Sequence, residues 1–156
     1  MRNFTYPAIL TPDRKSGGFV VTFRDLPEAI TQGEDEADAV QEGADCLEEA
    51  IAGRIRQEES IPEPSRLRRG EHAIPIPALM AAKAALYLAM KEAGITKVQL
   101  ARRLKCDEKE IRRLLDPRHK SKISRIETAL EAMGKQLIVS YRAAQGSRFI
   151  LRSRAG

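Results

Sequence analysis

TKVQLARRLKCDEKEIRRLL, running from Thr96 to Leu115, decides how the second half of this 156-residue chain folds. Thr96 with Gln99, and again Asp107 with Glu110, have the spacing of a capping box, in which a small polar side chain closes the first helical turn and a Glu or Gln three residues on reaches back to it. Two helix starts eleven residues apart follow. Val98, Leu100, Ala101 and Leu104 give the first helix an inner face, and Ile111, Leu114 and Leu115 do the same for the second. Ala101 falls where the two helices would cross, and its small side chain lets their backbones meet at a steep angle. The pattern is that of a helix-turn-helix carrying an excess of Arg and Lys.

In that motif the second helix enters the major groove with its early residues against base edges, while the first helix and adjoining loops hold the backbone. Glu108, Lys109, Arg112 and Arg113 are therefore candidates for base contact, Arg being able to read guanine through two parallel hydrogen bonds. Lys97, Gln99, Arg118, His119, Lys120 and Lys122 are candidates for phosphate contact, which sets register without reading sequence. Two carboxylates, Asp107 and Glu108, open the reading helix. Facing phosphate they are unfavourable unless Asp107 caps and Glu108 accepts from a cytosine amino group.

Beyond this core, Ile123, Ile126, Leu130 and Met133 predict a further helix that stops at Gly134. Leu137, Val139 and Tyr141 alternate in KQLIVSYR, which predicts a terminal strand whose pairing partner is sought on a second subunit; these three are the dimerisation candidates. Residues 143–156 read as a basic, loose tail. Upstream, Met80 to Ala93 is helical in pattern with Gly94 as its C-terminal cap, and Pro75 and Pro77 in HAIPIP mark a domain boundary after a short edge strand.

The first half reads differently. Phe4, Tyr6, Ala8 and Leu10, then Phe19, Val21 and Phe23 beyond DRKSGG, have the period of two of half-buried strands and form a hairpin. A third extended piece through Ala29, Ile30 and Thr31 ends at Gly33. A helix follows, opened by Glu34, Asp35 and Glu36 at its positive dipole end. Its inner face is Ala37, Val40, Ala44, Leu47 and Ile51, and its outer face is Asp38, Glu42, Asp45 and Glu49. From Gly53 the composition turns polar, and IPEPS, Ile61 to Ser65, predicts a surface loop because neither helix nor central strand tolerates two prolines there.

The formal charge of +5 conceals a split. Residues 1–60 carry 6 Lys and Arg against 13 Asp and Glu, net −7, whereas residues 61–156 carry 21 against 9, net +12. The basic part is drawn to phosphate with an affinity that falls as salt rises, and the acidic part repels nucleic acid or meets a basic partner.

Catalysis has little support. Asp13, Asp25 and Glu28 lie near strand ends, where a metal-dependent nuclease would keep its acids, but the turns around them account for them as solvated residues. Ser16, Ser60 and Ser65 have no GxSxG, and Gly17 and Gly18 lack the pattern of a phosphate loop. His72 and His119 have no second ligand at a zinc spacing, and Cys46 and Cys106 read as small buried thiols. No enzyme, metal or cofactor is expected. The N-terminus is too short and polar for a signal peptide, and no run reaches the ~20 apolar residues of a membrane span, so a cytoplasmic protein is expected.

GGFVVTFRDLPEAITQGEDEADAV from Gly17 to Val40, the IPEPS loop, and the paired helices running on into SRIETALEAMGKQLIV together resemble the HicB antitoxins of bacterial toxin and antitoxin pairs, in the family's order over nearly the whole chain. The resemblance implies an α+β fold: a degenerate ribonuclease H-like domain over residues 1–77, without working catalytic acids, then an XRE/Cro-like helix-turn-helix domain over 78–142 with its terminal strand. It also implies that the first domain masks a basic, mRNA-cleaving toxin of the HicA type, and that the second binds the operon's own double-stranded operator as a dimer, with tetramers left open. Toxin contacts are then sought among Asp25, Glu28, Glu34, Asp35, Asp38 and Glu42. The competing reading is a stand-alone transcriptional regulator whose first domain senses a small molecule.

Overall fold

A computed structural model describes residues 1–143. Three strands, β1 (Thr5–Pro12), β2 (Phe19–Phe23) and β3 (Ile30–Gly33), precede helix α1 (Glu36–Arg56); β4 (His72–Pro75) follows, then α2 (Ala78–Ala93), α3 (Lys97–Leu104), α4 (Glu108–Leu115) and α5 (Ile123–Glu131). The sheet is antiparallel in the order β3-β2-β1-β4. The fold is α+β, as the sequence predicts.

The expected hairpin pairs Ala8 with Phe23 and Pro12 with Phe19. Period-two alternation places Tyr6, Ala8, Val21 and Phe23 on one face, all buried. The opposite face is open, with Ile9 and Ile30 exposed. Proline in a central strand normally costs a ladder bond, yet Pro7 faces Ala73 on β4 and lies one residue beyond the last β1–β2 pair. Its missing N–H is lost where the ladder has already ended.

Helix α1 lies across the buried face and packs against all four strands. Asp35 caps it by accepting from the Asp38 amide. Its buried stripe is Ala39, Gly43, Leu47, Ile51 and Ile55 rather than the expected line through Ala37, Val40 and Ala44; Ala37 is exposed and the other two are half-buried. The reason is Gly43, which apolar periodicity does not count. A Cβ there would come within 2.9 Å of Ile74 Cδ1 and 3.3 Å of Val21 Cγ1, so the absent side chain is what lets α1 sit close to the sheet. The helix also continues past Gly53 to Arg56, because Ile55 is still on the buried stripe. Each large aliphatic side chain so buried contributes roughly 1.5–3 kcal/mol.

The IPEPS segment is a surface loop held at several points. Tyr6 Oη donates to the Pro62 carbonyl at 2.9 Å and an Arg2 guanidinium nitrogen donates to the Ile61 carbonyl at 3.0 Å, while Ile61 itself is buried. Burial pushes the Tyr6 phenol up to about 12. Further on, Asp25 accepts from the Ser65 amide (2.9 Å) and hydroxyl (2.6 Å), and the Arg24 guanidinium reaches Ser65 Oγ, the Arg66 carbonyl and Glu71.

Helix α2 packs against α1, α4 and α5, so the buried residues form one cluster from Tyr6 to Leu130. Gly94 ends it in the left-handed conformation, as expected of a glycine cap. The Thr96–Gln99 capping box is formed in both directions. The second box is not: Asp107 accepts from the Lys109 amide, and Glu110 turns away to pair with Arg125. Leu100 and Ala101 are buried on the inner face of α3, but Val98 is 42% exposed, and Ile123 at the start of α5 is 37% exposed. Cys46 and Cys106 are half-buried rather than enclosed.

No strand forms after α5 among the described residues. From Lys135 to Arg142 the chain makes no ladder; Val139 and Tyr141 are exposed and Leu137 is half-buried. A lone segment has no neighbour to supply a strand's backbone partners; at its two ends it is held by Lys135 Nζ on Glu92 at 3.2 Å and by the Arg142 guanidinium donating to the Ala73 carbonyl on β4 at 2.6 Å. The basic tail, apart from Ala143, lies outside the described residues.

Candidate functional site

Charge collects on two faces. The first surrounds α3, α4 and the loop before α5. Lys105, between the two helices, ends α3 with φ 52°, a left-handed conformation that a non-glycine residue adopts at a cost of roughly 1–2 kcal/mol. That turn sets α4 against α3, with Ile111, Leu114 and Leu115 inward.

The candidate residues do not all come together. Lys109, Arg113, His119, Lys120 and Lys122 border one shallow open cleft, shared with Glu110, Ser121 and Arg125. Lys97 and Glu108 border a second hollow beside Tyr87 and Lys91. Gln99 Oε1 is occupied by the Thr96 amide at 2.9 Å, which leaves only its NH₂ group for a ligand. Arg118 is exposed and borders neither hollow. Arg112 is bound one turn back to Glu108, Nε at 3.0 Å and an outer nitrogen at 2.7 Å. The carboxylate at the front of α4 thus has a cation of its own, an exposed pair whose net value is well below about 1 kcal/mol.

Three residues that the sequence reading missed organise this face. Arg125 neutralises Glu110 across the cleft. Lys83, fully buried in α2, sends its ammonium to the Leu114 carbonyl (3.0 Å), the Arg113 carbonyl (3.2 Å) and Ser121 Oγ (2.9 Å). The signal for Lys83 was present, since a single charge inside the apolar run MAAKAALYLAM needs buried partners. Arg125 and Ser121 carry no such signal.

The second face is acidic. Of the six toxin-contact candidates, four already have work within the chain. Asp25 holds Ser65, Glu28 pairs with Arg54 at 2.5 Å, Asp35 caps α1, and Asp38 accepts from the Glu34 amide at 2.8 Å. Arg54 holds the Glu28 carboxyl below its ordinary range. Glu34 and Glu42 are exposed and make no ion pair among the described residues. Beside Glu42 on the outer surface of α1 lie Asp45, Glu48 and Glu49. Burial first, and then the neighbouring Asp45 and Glu49 charges, push the Glu48 carboxyl up.

Among the described residues no group of three or more His, Cys, Asp or Glu is placed to hold a metal ion, and no helix is long and apolar enough to cross a membrane.

Residues 5–85 match a family model described as the HicB_like antitoxin of bacterial toxin-antitoxin system. Over 132 residues the chain is 40% identical to Antitoxin HicB of Escherichia coli (strain K12), covering 85% of this chain and 95% of that protein. It is 32% identical over 140 residues to Antitoxin HicB 1 of Photorhabdus laumondii subsp. laumondii, with 90% and 88% covered. Antitoxin HicB of Pseudomonas fluorescens (strain Pf0-1) is 31% identical over 129 residues, with 82% and 88% covered.

Proposed function

The chain belongs to the HicB-like antitoxin family, and from that premise we propose that it neutralises a HicA-type mRNA-cleaving ribonuclease and represses its own operon by binding operator DNA. The observation that carries this reading is the placement of unneutralised charge. Among the described residues Glu42, Asp45, Glu48 and Glu49 on the outer surface of α1 make no ion pair, and Lys109, Arg113, Lys120 and Lys122 around the α4 cleft have no acidic partner. A protein that grips RNA presents a basic surface, and the α1 surface complements it. The α4 cleft has the opposite charge and suits phosphate, with α4 as the reading helix of a helix-turn-helix.

Bonds within the chain favour some of the candidate contacts over others. Glu34 and Glu42, with Asp45 and Glu49 beside them, are the toxin contacts we favour, since Asp25, Glu28, Asp35 and Asp38 hold the fold. On DNA, Arg113 and Lys109 read bases, and His119, Lys120 and Lys122 hold phosphate. A division of the chain at Pro77 assigns these tasks to residues 1–77 and 78–142. The dimer forms through Leu137, Val139 and Tyr141, exposed or half-buried in the single chain, and binds half-sites about one helical turn, roughly 34 Å, apart.

Two measurements test this. Expressing the HicA-type reading frame alone should stop growth, and coexpressing this chain should restore it; failure to restore growth defeats the antitoxin role. Arg113→Ala should weaken operator binding by roughly 1–3 kcal/mol and relax sequence preference, whereas Lys120→Ala should weaken all DNA alike and lower the salt slope by about one. Equal losses on operator and random DNA for Arg113→Ala would show that α4 does not read bases.

A further inference from the structure

Lys83 is the largest charged side chain in the core, fully buried and in ion-pair contact with no carboxylate among the described residues. An isolated buried ammonium is costly unless its donors are satisfied. Here all three N–H groups have an acceptor: the Arg113 and Leu114 carbonyls and Ser121 Oγ. The first two belong to the last turn of α4, at the negative end of its dipole; the Arg113 carbonyl also accepts from the Asp116 amide at 3.3 Å. One cation therefore closes the C-terminus of α4 from below and binds the loop that leads to α5. Burial lowers the Lys83 pKa, and the Asp116 carboxylate acts in the opposite direction.

Ser121 extends the arrangement to the surface. Its hydroxyl donates to the Arg113 carbonyl at 3.1 Å, accepts from Lys83, and lies 3.0 Å from His119 Nδ1. A serine has one proton and two lone pairs. The opposite His119 tautomer would need the hydroxyl to turn away from Arg113 toward the ring; with the proton on Arg113 and one lone pair on Lys83, the second lone pair takes a hydrogen from His119 Nδ1. Nε2 is then the ring nitrogen left for an outside ligand.

We propose that Lys83, acting through Ser121, is the positioning residue of the α4 cleft: it locks the reading helix and the His119 to Lys122 loop into one unit and fixes His119 in its Nδ1–H form with Nε2 outward. This rests on the DNA-binding reading above and names a residue that touches no DNA.

The full chain carrying Lys83→Met or Ser121→Ala tests it, with two readouts. Nitrogen-15 NMR of the His119 ring reports the tautomer, and titration of the duplex upstream of the chain's own reading frame reports affinity. Wild type should show neutral His119 as Nδ1–H. Folded Lys83→Met should lose that preference and bind the duplex roughly ten-fold more weakly; Ser121→Ala, which leaves Lys83 on both α4 carbonyls, should lose the tautomer signature with a smaller loss of affinity. If Lys83→Met does not fold, Ser121→Ala alone decides. An unchanged ring signature and unchanged affinity in a folded variant overturn the proposal. If wild type binds no duplex while the ring signature still follows Lys83 and Ser121, the DNA-binding reading fails and the positioning of the loop stands.

Discussion

The outer surface of α1 and the front of α4 are both rich in charge, and they handle it in opposite ways. On α1 the carboxylates of Glu42, Asp45, Glu48 and Glu49 lie on one surface with no cation paired to them among the described residues, and the Glu48 pKa rises as a result of burial and its neighbours. On α4 each glutamate of the first turn has its own arginine, Glu108 with Arg112 and Glu110 with Arg125. Like charge held together on one face raises the free energy of the isolated protein, which a basic partner relieves on binding. Charge already paired must be exchanged before a ligand is gained, which favours discrimination over raw affinity. The difference fits a protein that grips one partner tightly and reads another selectively.

Breaking the α1 side gives the largest expected effect. Reversing Glu42, Asp45 and Glu49 to Lys should weaken toxin binding by several kcal/mol, as like charges are brought together. Operator binding should hold or strengthen modestly. Calorimetry with the toxin and titration with DNA separate the two; toxin affinity that survives the reversal would move the contact away from α1.

On the α4 side a single neutralisation should act with the opposite sign. Glu108→Gln releases Arg112 and removes a carboxylate from the proposed DNA face, so binding to random DNA should tighten by about 0.5–1 kcal/mol while operator binding gains less. The ratio of the two affinities is the measurement. That ratio, operator over random, should fall, and one that holds or rises would mean that Glu108 does not contribute to discrimination.

The smallest effect is acid-dependent. Arg54 depresses the Glu28 pKa, so this pair's stabilisation is present above the unfolded carboxylate value near 4.5 and is lost as pH falls through the lower folded value. Glu28 is largely exposed, and screening keeps the effect below about 1 kcal/mol. Melting of wild type and Glu28→Gln should therefore differ slightly at neutral pH and converge in acid; a gap that widens in acid would contradict the assignment.

Much of the fold was legible because the relevant forces are local. The period of two in Tyr6, Ala8, Val21 and Phe23 gave the hairpin, Thr96 and Gln99 gave a capping box that is formed, and Gly94 gave a helix end. Errors arose where a partner distant in sequence decided. Glu110 had the spacing of a cap and was taken by Arg125, and the stripe of α1 was misread by one line because Gly43 contributes to packing by what it lacks. Of the toxin-contact candidates, Asp25, Glu28, Asp35 and Asp38 each have a bond within the chain that the linear sequence does not show.

Composition, periodicity and charge order along the chain determined the class of fold and the placing of an acidic stretch before a basic one, since these depend on each residue and its near neighbours. Tertiary structure alone decided which charges are free, which are spent on one another, and that a lysine in an apolar helix would end beneath α4. Ion pairing and burial depend on through-space distances that the linear order of residues does not contain.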